Sequence, residues 1–328
     1  RARSYLQTPI LLKGHERNLT HLVFNHDSDL LFTAAKDKSP QVWFTHNGER
    51  LGTFEGHSGA VFHMDVSFDS KYLLTASGDM TARYWDVKTG REIACFKHDT
   101  IVRSVAFSEG EEMFLAAVAR TSSRNSTVFI YSLEGDDTVP SEPLRTITLN
   151  NSSTINGALW SPLNASVITA GDDGYLRLFD LEEQEIKAVQ IHKKSINSIA
   201  YSKDKTMIIT ASADMTSKII DARTFEVIKT FQSDRNLNGA SISPILNHVI
   251  MAGGEDALDV MHSSAKQGRF EVDFWHTVFE ERLASVGGHF GPVNTLSFSP
   301  NGKMFASGGE DGFVRLHHLD KTYLNSTY

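Results

Sequence analysis

Apolar and polar residues alternate in short runs along most of the chain, as in Phe62, Met64, Val66 and Phe68, and again in Leu296 and Phe298. A period of two puts every second side chain on one face, the pattern of a strand packed against a neighbouring layer. Turn residues separate the runs: Asp69-Ser70, Gly78-Asp79 and Thr89-Gly90 early in the chain, and Asn301-Gly302 late in it. No stretch keeps a long helical period. The prediction is an all-β chain of short strands joined by tight turns.

The runs themselves repeat. Residues 56–86 show the unit most completely: Gly56-His57, a strand over 61–68, Leu73-Leu74-Thr75-Ala76-Ser77, Gly78-Asp79, then Arg83-Tyr84-Trp85-Asp86. His57 and Asp79 are 22 residues apart, and the same separation joins His15 to Asp37, His192 to Asp214 and His289 to Asp311. Six residues past each Asp stand Trp85, Trp43, Ile220 and His317. Two units keep only the second half of the frame, Asp173 with Phe179 and Asp256 with His262. Another opens at His98 and meets Arg120 where the Asp is expected.

Units therefore begin near residues 14, 56, 98, 150, 192, 233 and 288. Most are about 42 residues long, the length of a four-stranded propeller blade. The predicted fold is one seven-bladed β-propeller over residues 10–320, with an N-terminal extension at 1–9 and a C-terminal tail at 321–328. The last unit shows only three strands, and Pro9-Ile10-Leu11-Leu12-Lys13 is an orphan. Residues 10–13 are assigned as the outer strand of the seventh blade, closing the ring and leaving no free edge.

The spacing has a mechanical reason. Blade strands are covered on both faces, so polar side chains between them must satisfy one another. His57 is expected to bridge Asp79 and Ser77, with the Trp85 indole N–H completing the network. The same structural role is assigned to His15, Asp37 and Trp43, to His192 and Asp214, to His289 and Asp311, and to Asp173 and Asp256. Ala35 and Gly309 stand where Ser77 does, so those two blades are expected to rely more on packing.

Two units depart from the template. The third has a longer second turn at 120–125 and a polar loop at 134–143. The sixth is stretched over 269–283, where Phe270, Phe274, Trp275 and Phe279 are read as an inserted outer strand and a candidate surface for a partner helix.

Gly-His to Trp-Asp at this spacing resembles the WD40-repeat family. Three stretches go further: Pro9 with Ile10-Leu11-Leu12-Lys13-Gly14-His15-Glu16-Arg17; Asn47-Gly48-Glu49-Arg50-Leu51-Gly52-Thr53; and a tail block. The tail block holds Gly253-Gly254-Glu255-Asp256, Gly268-Arg269-Phe270-Glu271, Phe279-Glu280-Glu281, Gly287-Gly288-His289-Phe290-Gly291-Pro292 and Gly308-Gly309-Glu310-Asp311-Gly312. Together they resemble the subunit i family of eukaryotic translation initiation factor three.

That resemblance implies a non-catalytic cytoplasmic scaffold within the initiation factor. It implies binding to the C-terminal helix of subunit b and to subunit g, and support of mRNA recruitment and scanning on the 40S ribosomal subunit, reached through the complex. It further implies that Asp204 and Asp221, in the fifth blade, receive basic and hydroxyl groups from the helix of subunit b. From the residues alone both are ordinary turn acids, equivalent to Asp69 and Asp86. The rival reading is another intracellular WD40 adaptor, such as a receptor- or kinase-associated scaffold.

Composition narrows the rest. A formal net charge of -8 argues against a surface built to neutralise phosphates, and the basic pair Lys193-Lys194 has no aromatic partners beside it. No direct nucleic-acid site is expected. Ser, His and Asp recur with the structural period, whereas a catalytic set should occur once, so no enzyme is expected. His317-His318 lacks partners at ligand spacing, and adjacent strand residues face opposite ways, so no metal site is expected. Gly308-Gly309-Glu310-Asp311-Gly312 has neither a dinucleotide nor a phosphate-loop order, so no cofactor or small-molecule substrate is expected. No apolar run reaches the roughly 18 residues of a membrane span. The single cysteine, Cys95, rules out an intrachain disulfide and fits a reducing compartment.

Overall fold

The computed structural model describes residues 8–133, 141–254 and 270–325. These residues form seven four-stranded antiparallel sheets that pack side by side as the blades of a propeller. In blade two the strands are Val61–Val66, Tyr72–Ser77, Thr81–Asp86 and Glu92–Lys97. The second strand is uncharged and buried along almost its whole length, because a neighbouring blade covers each face. The outer strand faces solvent and carries the charges.

Cores lie between blades. Phe32 and Val42 of blade one pack with Phe54, Val61, Met64, Leu73 and Trp85. Trp85 is fully buried, and its strand pairs Leu73 with Trp85 across the blade. The first strands of the seven blades surround a central cavity of about 790 Å³.

Ring closure follows the predicted route. Ile10–Lys13 pairs antiparallel with Phe313–His318, Ile10 opposite Leu316 and Lys13 opposite Phe313. Leu12 is buried among Leu22, Trp43, Val314 and Leu316, so the closing strand is anchored by its side chains as well as its backbone.

The sixth blade differs from expectation. Its third strand is Val272–His276, and Val249 stands opposite Trp275 there, the relation that joins Leu73 to Trp85 in blade two. Phe274 and Trp275 therefore belong to the blade frame and not to an inserted outer strand. The additional length falls earlier, at residues 255–269. That segment holds Asp256 and His262 and lies outside the described residues, as does 134–140 of the third-blade loop.

Part of the segment expected as a C-terminal tail packs onto the blades. Lys321–Leu324 forms a single helical turn whose first N–H groups are capped by Asp320, with Tyr323 N–H donating to Asp320 Oδ1 at 2.7 Å. Tyr323 is buried between blades six and seven, and its hydroxyl meets His248 Nδ1 at 2.8 Å.

Candidate functional site

In an antiparallel blade, the turns after the first and third strands emerge on one face of the ring. The turn after the second strand and the entry loop emerge on the other.

The His–Asp network occupies the entry-loop face. In blade two His57 Nδ1 lies 2.8 Å from Asp79 Oδ2, and His57 Nε2 lies 2.6 Å from Thr75 Oγ1. Trp85 Nε1 donates to the same hydroxyl at 2.9 Å. Ser77, the predicted member, is not in this chain. Its hydroxyl donates to the Ala60 carbonyl at 3.0 Å and accepts from the Asp79 N–H at 3.1 Å. Thr75 and Ser77 share a face, but Ser77 lies at the strand's end, one pleat away from Trp85.

That shift corrects the reading of blade one, which keeps the whole set. His15 contacts Asp37 at 2.8 Å and Thr33 at 2.7 Å, and Trp43 Nε1 donates to Thr33 at 2.9 Å. Blade five has His192, Asp214 and Thr210, with the apolar Ile220 in the Trp place. Blade seven has His289, Asp311 and Ser307, and there His317 stacks on Phe305. Burial pushes the Asp79 carboxyl up, but hydrogen bonds from His57, Thr81 and the Ser58 N–H outweigh it and hold the group well below its usual value. In blade four Asp173 instead pairs with Arg177 at 2.5 Å. In blade six the polarity is reversed, with Arg235 of the entry loop on Asp273 of the third strand at 2.5 Å. These contacts recur with the blades and hold them together.

Asp204 and Asp221 lie on the opposite face, at the two turns of blade five. Asp204 Oδ1 accepts from the Ser202 hydroxyl at 2.6 Å and from the Thr206 hydroxyl at 2.8 Å. Asp221 Oδ1 accepts from the N–H groups of Thr224 at 2.7 Å and Arg223 at 3.0 Å. The two turns touch, since the Ala222 N–H donates to the Thr206 carbonyl at 3.0 Å. Hydrogen bonds from Ser202 and Thr206 hold the Asp204 carboxyl below its usual value, and the N–H groups of Thr224 and Arg223 do the same for Asp221.

One contact separates this pair from its counterparts. Asp69, in the equivalent turn of blade two, is paired with Lys71 at 2.7 Å. Thr206 stands in the place of Lys71, and of the two lysines flanking Asp204, Lys205 reaches Glu109 of blade three at 2.6 Å while Lys203 makes no ion pair with Asp204 among the described residues. The exposed Asp204 carboxylate is thus left with hydroxyl and N–H partners from its own turn.

The aromatic set does not form one surface. Phe274 is buried in the core of blades six and seven. Trp275 packs edge-on against Phe231, and its indole N–H has no acceptor among the described residues. The reason is that Met251 stands where Thr75 stands in blade two. Phe270 is partly exposed at the start of the blade-six strand segment. Phe279 alone of the four is largely exposed, 64% in the turn before the outer strand, with its ring against His276.

The channel holds features that the motif reading passed over. A bulge skips the second residue of every first strand, so that Thr20, Phe62, Arg103, Asn156, Asn197, Asn238 and Asn294 stand out of the ladders. Each of the four asparagines reaches the next blade: Asn156 to the Ile196 carbonyl at 3.0 Å, Asn197 to Leu237 at 2.9 Å, Asn238 to Val293 at 3.2 Å and Asn294 to Leu19 at 3.0 Å. Thr20 continues to the Val61 carbonyl at 2.5 Å. The signal was in the sequence as Asn156, Asn197 and Asn238 at a spacing of 41. Deeper in, the His21 and His63 rings lie 4.0 Å apart beside Asp65. Burial lowers His63 to about 4 and raises Asp65 to about 7. Among the described residues no cluster of His, Cys, Asp and Glu could hold a metal ion, and no helix is long and apolar enough to cross a membrane.

Comparison with known proteins accounts for almost the whole chain. The EIF3I family model matches residues 7–328. The chain is 41% identical over 321 residues to the Drosophila willistoni protein named eukaryotic translation initiation factor 3 subunit I, covering 97% of this chain and 100% of that one. It is 41% identical over 319 residues to the Xenopus tropicalis protein of the same name, covering 97% and 98%. Against the Nematostella vectensis protein of that name the identity is 40% over 316 residues, covering 96% and 97%.

Proposed function

Because the chain belongs to the EIF3I family, that of eukaryotic translation initiation factor 3 subunit I, we propose that it is a non-catalytic scaffold subunit of the initiation factor. In this reading it works in the cytoplasm, on the 40S ribosomal subunit, through the complex and not through a nucleic-acid site of its own. Its direct partners are the C-terminal helix of subunit b and subunit g. A match along nearly the whole chain favours this over a receptor- or kinase-associated adaptor, which would share only the propeller.

The subunit b helix is assigned to the blade-five face through Asp204 and Asp221. The observation that carries the assignment is the pair's geometry. Two ionised carboxylates stand on contacting turns, both fixed by their own turn bonds, and neighbouring Lys205 is diverted to Glu109. Such a pair orients an incoming Arg or hydroxyl at little entropic cost, each charge-assisted bond being worth about 1–3 kcal/mol. Exposed Phe279 of blade six, beside the Lys229–Glu280 pair that links the two blades, is the apolar contact this reading favours.

The test is titration calorimetry with a peptide of the subunit b C-terminus against the wild type and the Asp204→Lys, Asp221→Lys double variant. Binding should fall by tenfold or more, on the order of the loss of one such bond, with the melting temperature unchanged. Equal affinity for both proteins would remove the site.

A further inference from the structure

Among the described residues, the buried and half-buried arginines of the entry-loop face and channel rim each have a carboxylate, with one exception. Arg83 meets Glu92 at 2.5 Å, Arg177 meets Asp173 at 2.5 Å, Arg235 meets Asp273 at 2.5 Å and Arg315 meets Asp311 at 2.9 Å. Arg103 has no carboxylate partner among the described residues. Its guanidinium lies 5.0 Å from the centre of the Phe62 ring, at the channel wall, and its Nε is enclosed without an acceptor. Burial holds its pKa below the usual guanidinium value, with no acidic neighbour to offset the cost. Arginine nevertheless remains charged in such surroundings, so an uncompensated cation faces the cavity.

Blade three also reverses the charge of its turn. Where blades one, two, four, five and seven carry the network Asp, this one carries the exposed Arg120. Arg103 and Arg120 emerge at the same corner, because Val102 pairs with Val118 and the Ala119 N–H donates to the Ile101 carbonyl at 2.8 Å. The inter-blade ring of Asn and Thr contacts is interrupted here as well. Phe62 and Arg103 occupy the two bulge positions that lack an amide or hydroxyl to tie blade two to three and three to four. The side-chain ring is therefore broken on the side where the positive charge lies.

We propose that the channel mouth at blade three is a binding site for the carboxylate of an acidic peptide segment, with Arg103 as its main contact and Arg120 as a second cation. The fork of a guanidinium fits a carboxylate in two parallel bonds, and the Phe62 ring beneath it holds the fork in place. A net charge of -8 opposes any long polyanion, and the aromatic face is already covered by Arg103, so base stacking is blocked. The local pair of cations fits a short segment that places one carboxylate on the Arg103 fork. The site is on the face opposite Asp204 and Asp221 and does not depend on their assignment.

Fluorescence anisotropy with a fluorescein-labelled octaglutamate peptide tests it, with labelled octauridylate as the nucleic-acid control. The wild type should bind octaglutamate more tightly than octauridylate. Arg103→Met should weaken octaglutamate by about tenfold, the loss of a charge-assisted pair, Arg103→Lys by less, and Arg145→Met, the same charge change on the exposed outer strand of blade three, not at all. Unchanged octaglutamate binding by a folded Arg103→Met protein overturns the proposal, as does a preference for octauridylate. If Arg103→Met does not fold, Arg120→Glu on the exposed turn decides: weaker octaglutamate binding supports the site, and unchanged binding overturns it.

Discussion

His57 Nε2 and the Thr75 hydroxyl are 2.6 Å apart, and the direction of every other bond in the network follows from that contact. The indole N–H of Trp85 can only donate, so Thr75 Oγ1 accepts it at 2.9 Å and turns its own hydrogen toward His57 Nε2. His57 then carries its proton on Nδ1 and donates to Asp79 at 2.8 Å. One hydroxyl thus serves two buried ring nitrogens. Thr75→Val leaves both unpaired and should destabilise the protein by about 2–6 kcal/mol, counting about 1–3 for each buried group left without a partner. Ser77→Ala removes backbone contacts at the strand end and should cost about 1 kcal/mol. Urea unfolding followed by circular dichroism measures both, and the opposite ranking would return Ser77 to the network.

The two tryptophans at equivalent blade positions should respond differently to the same change. Trp85→Phe removes a made hydrogen bond and leaves Thr75 without its donor. Trp275→Phe removes an indole N–H that faces Met251 and has no acceptor among the described residues. Both lose the same ring atoms, and Trp85 is fully buried whereas Trp275 is half-buried, so burial and the bond act in the same direction. Trp85→Phe is expected to cost at least about 0.5–1.5 kcal/mol more than Trp275→Phe, the usual net range for a hydrogen bond. Equal losses by urea unfolding would mean that the indole bond of blade two contributes nothing net.

These comparisons show what the sequence could and could not convey. The separation of 22 between His57 and Asp79 was legible because both sit at fixed points of a rigid blade, so spacing in sequence stands for position in space. The hydroxyl was misplaced by two residues because Thr75 and Ser77 point the same way from one strand, and only distance to Trp85 distinguishes them. In the sixth blade the frame slipped. The length of the 255–269 segment delays the third strand to Val272, so Trp275 was read as part of an aromatic insertion when it holds the blade's tryptophan place. Arg103 carried no motif at all; its meaning lies in carboxylates that are not beside it.

Asp65 gives the channel a pH dependence of known sign. Burial raises its carboxyl to about 7, although N–H groups of Phe107 and Val66 donate to it; Glu111 adds to the rise and Lys205 opposes it. The unfolded value is about 4. The folded-state value is the higher one, so its contribution favours folding below about pH 4 and is lost as pH rises through about 7. His63 works in the opposite sense, since burial lowers it and its contribution is lost on acidification toward about pH 4. Comparing Asp65→Asn with the wild type cancels the histidine effect. The variant should gain stability relative to the wild type as pH rises from about 4 to about 7, the window those two carboxyl values define. A difference in urea midpoint that stays constant across that window would show that Asp65 ionises normally in the fold.

Closure of the ring depends on two contacts of different kind, and they can be separated. Leu12 inserts at 2% exposure among Leu22, Trp43, Val314 and Leu316, holding the outer strand of blade seven. Asn294 ties the inner end of the same blade to blade one through the Leu19 carbonyl at 3.0 Å. Leu12→Ala leaves a cavity in a buried core and should cost about 2–4 kcal/mol. Asn294→Ala removes a partly buried side-chain bond and should cost about 1 kcal/mol. The contacts lie at opposite edges of one sheet, so if the blade acts as a single closing unit the double variant loses the sum within about 0.5 kcal/mol. A double variant much less stable than that sum would mean that either contact alone can hold the ring shut. Hydrogen exchange at the amides of Ile10–Lys13 provides the local measurement: Leu12→Ala should speed exchange there far more than Asn294→Ala, and equal acceleration would place the weak point of closure in the inner strand.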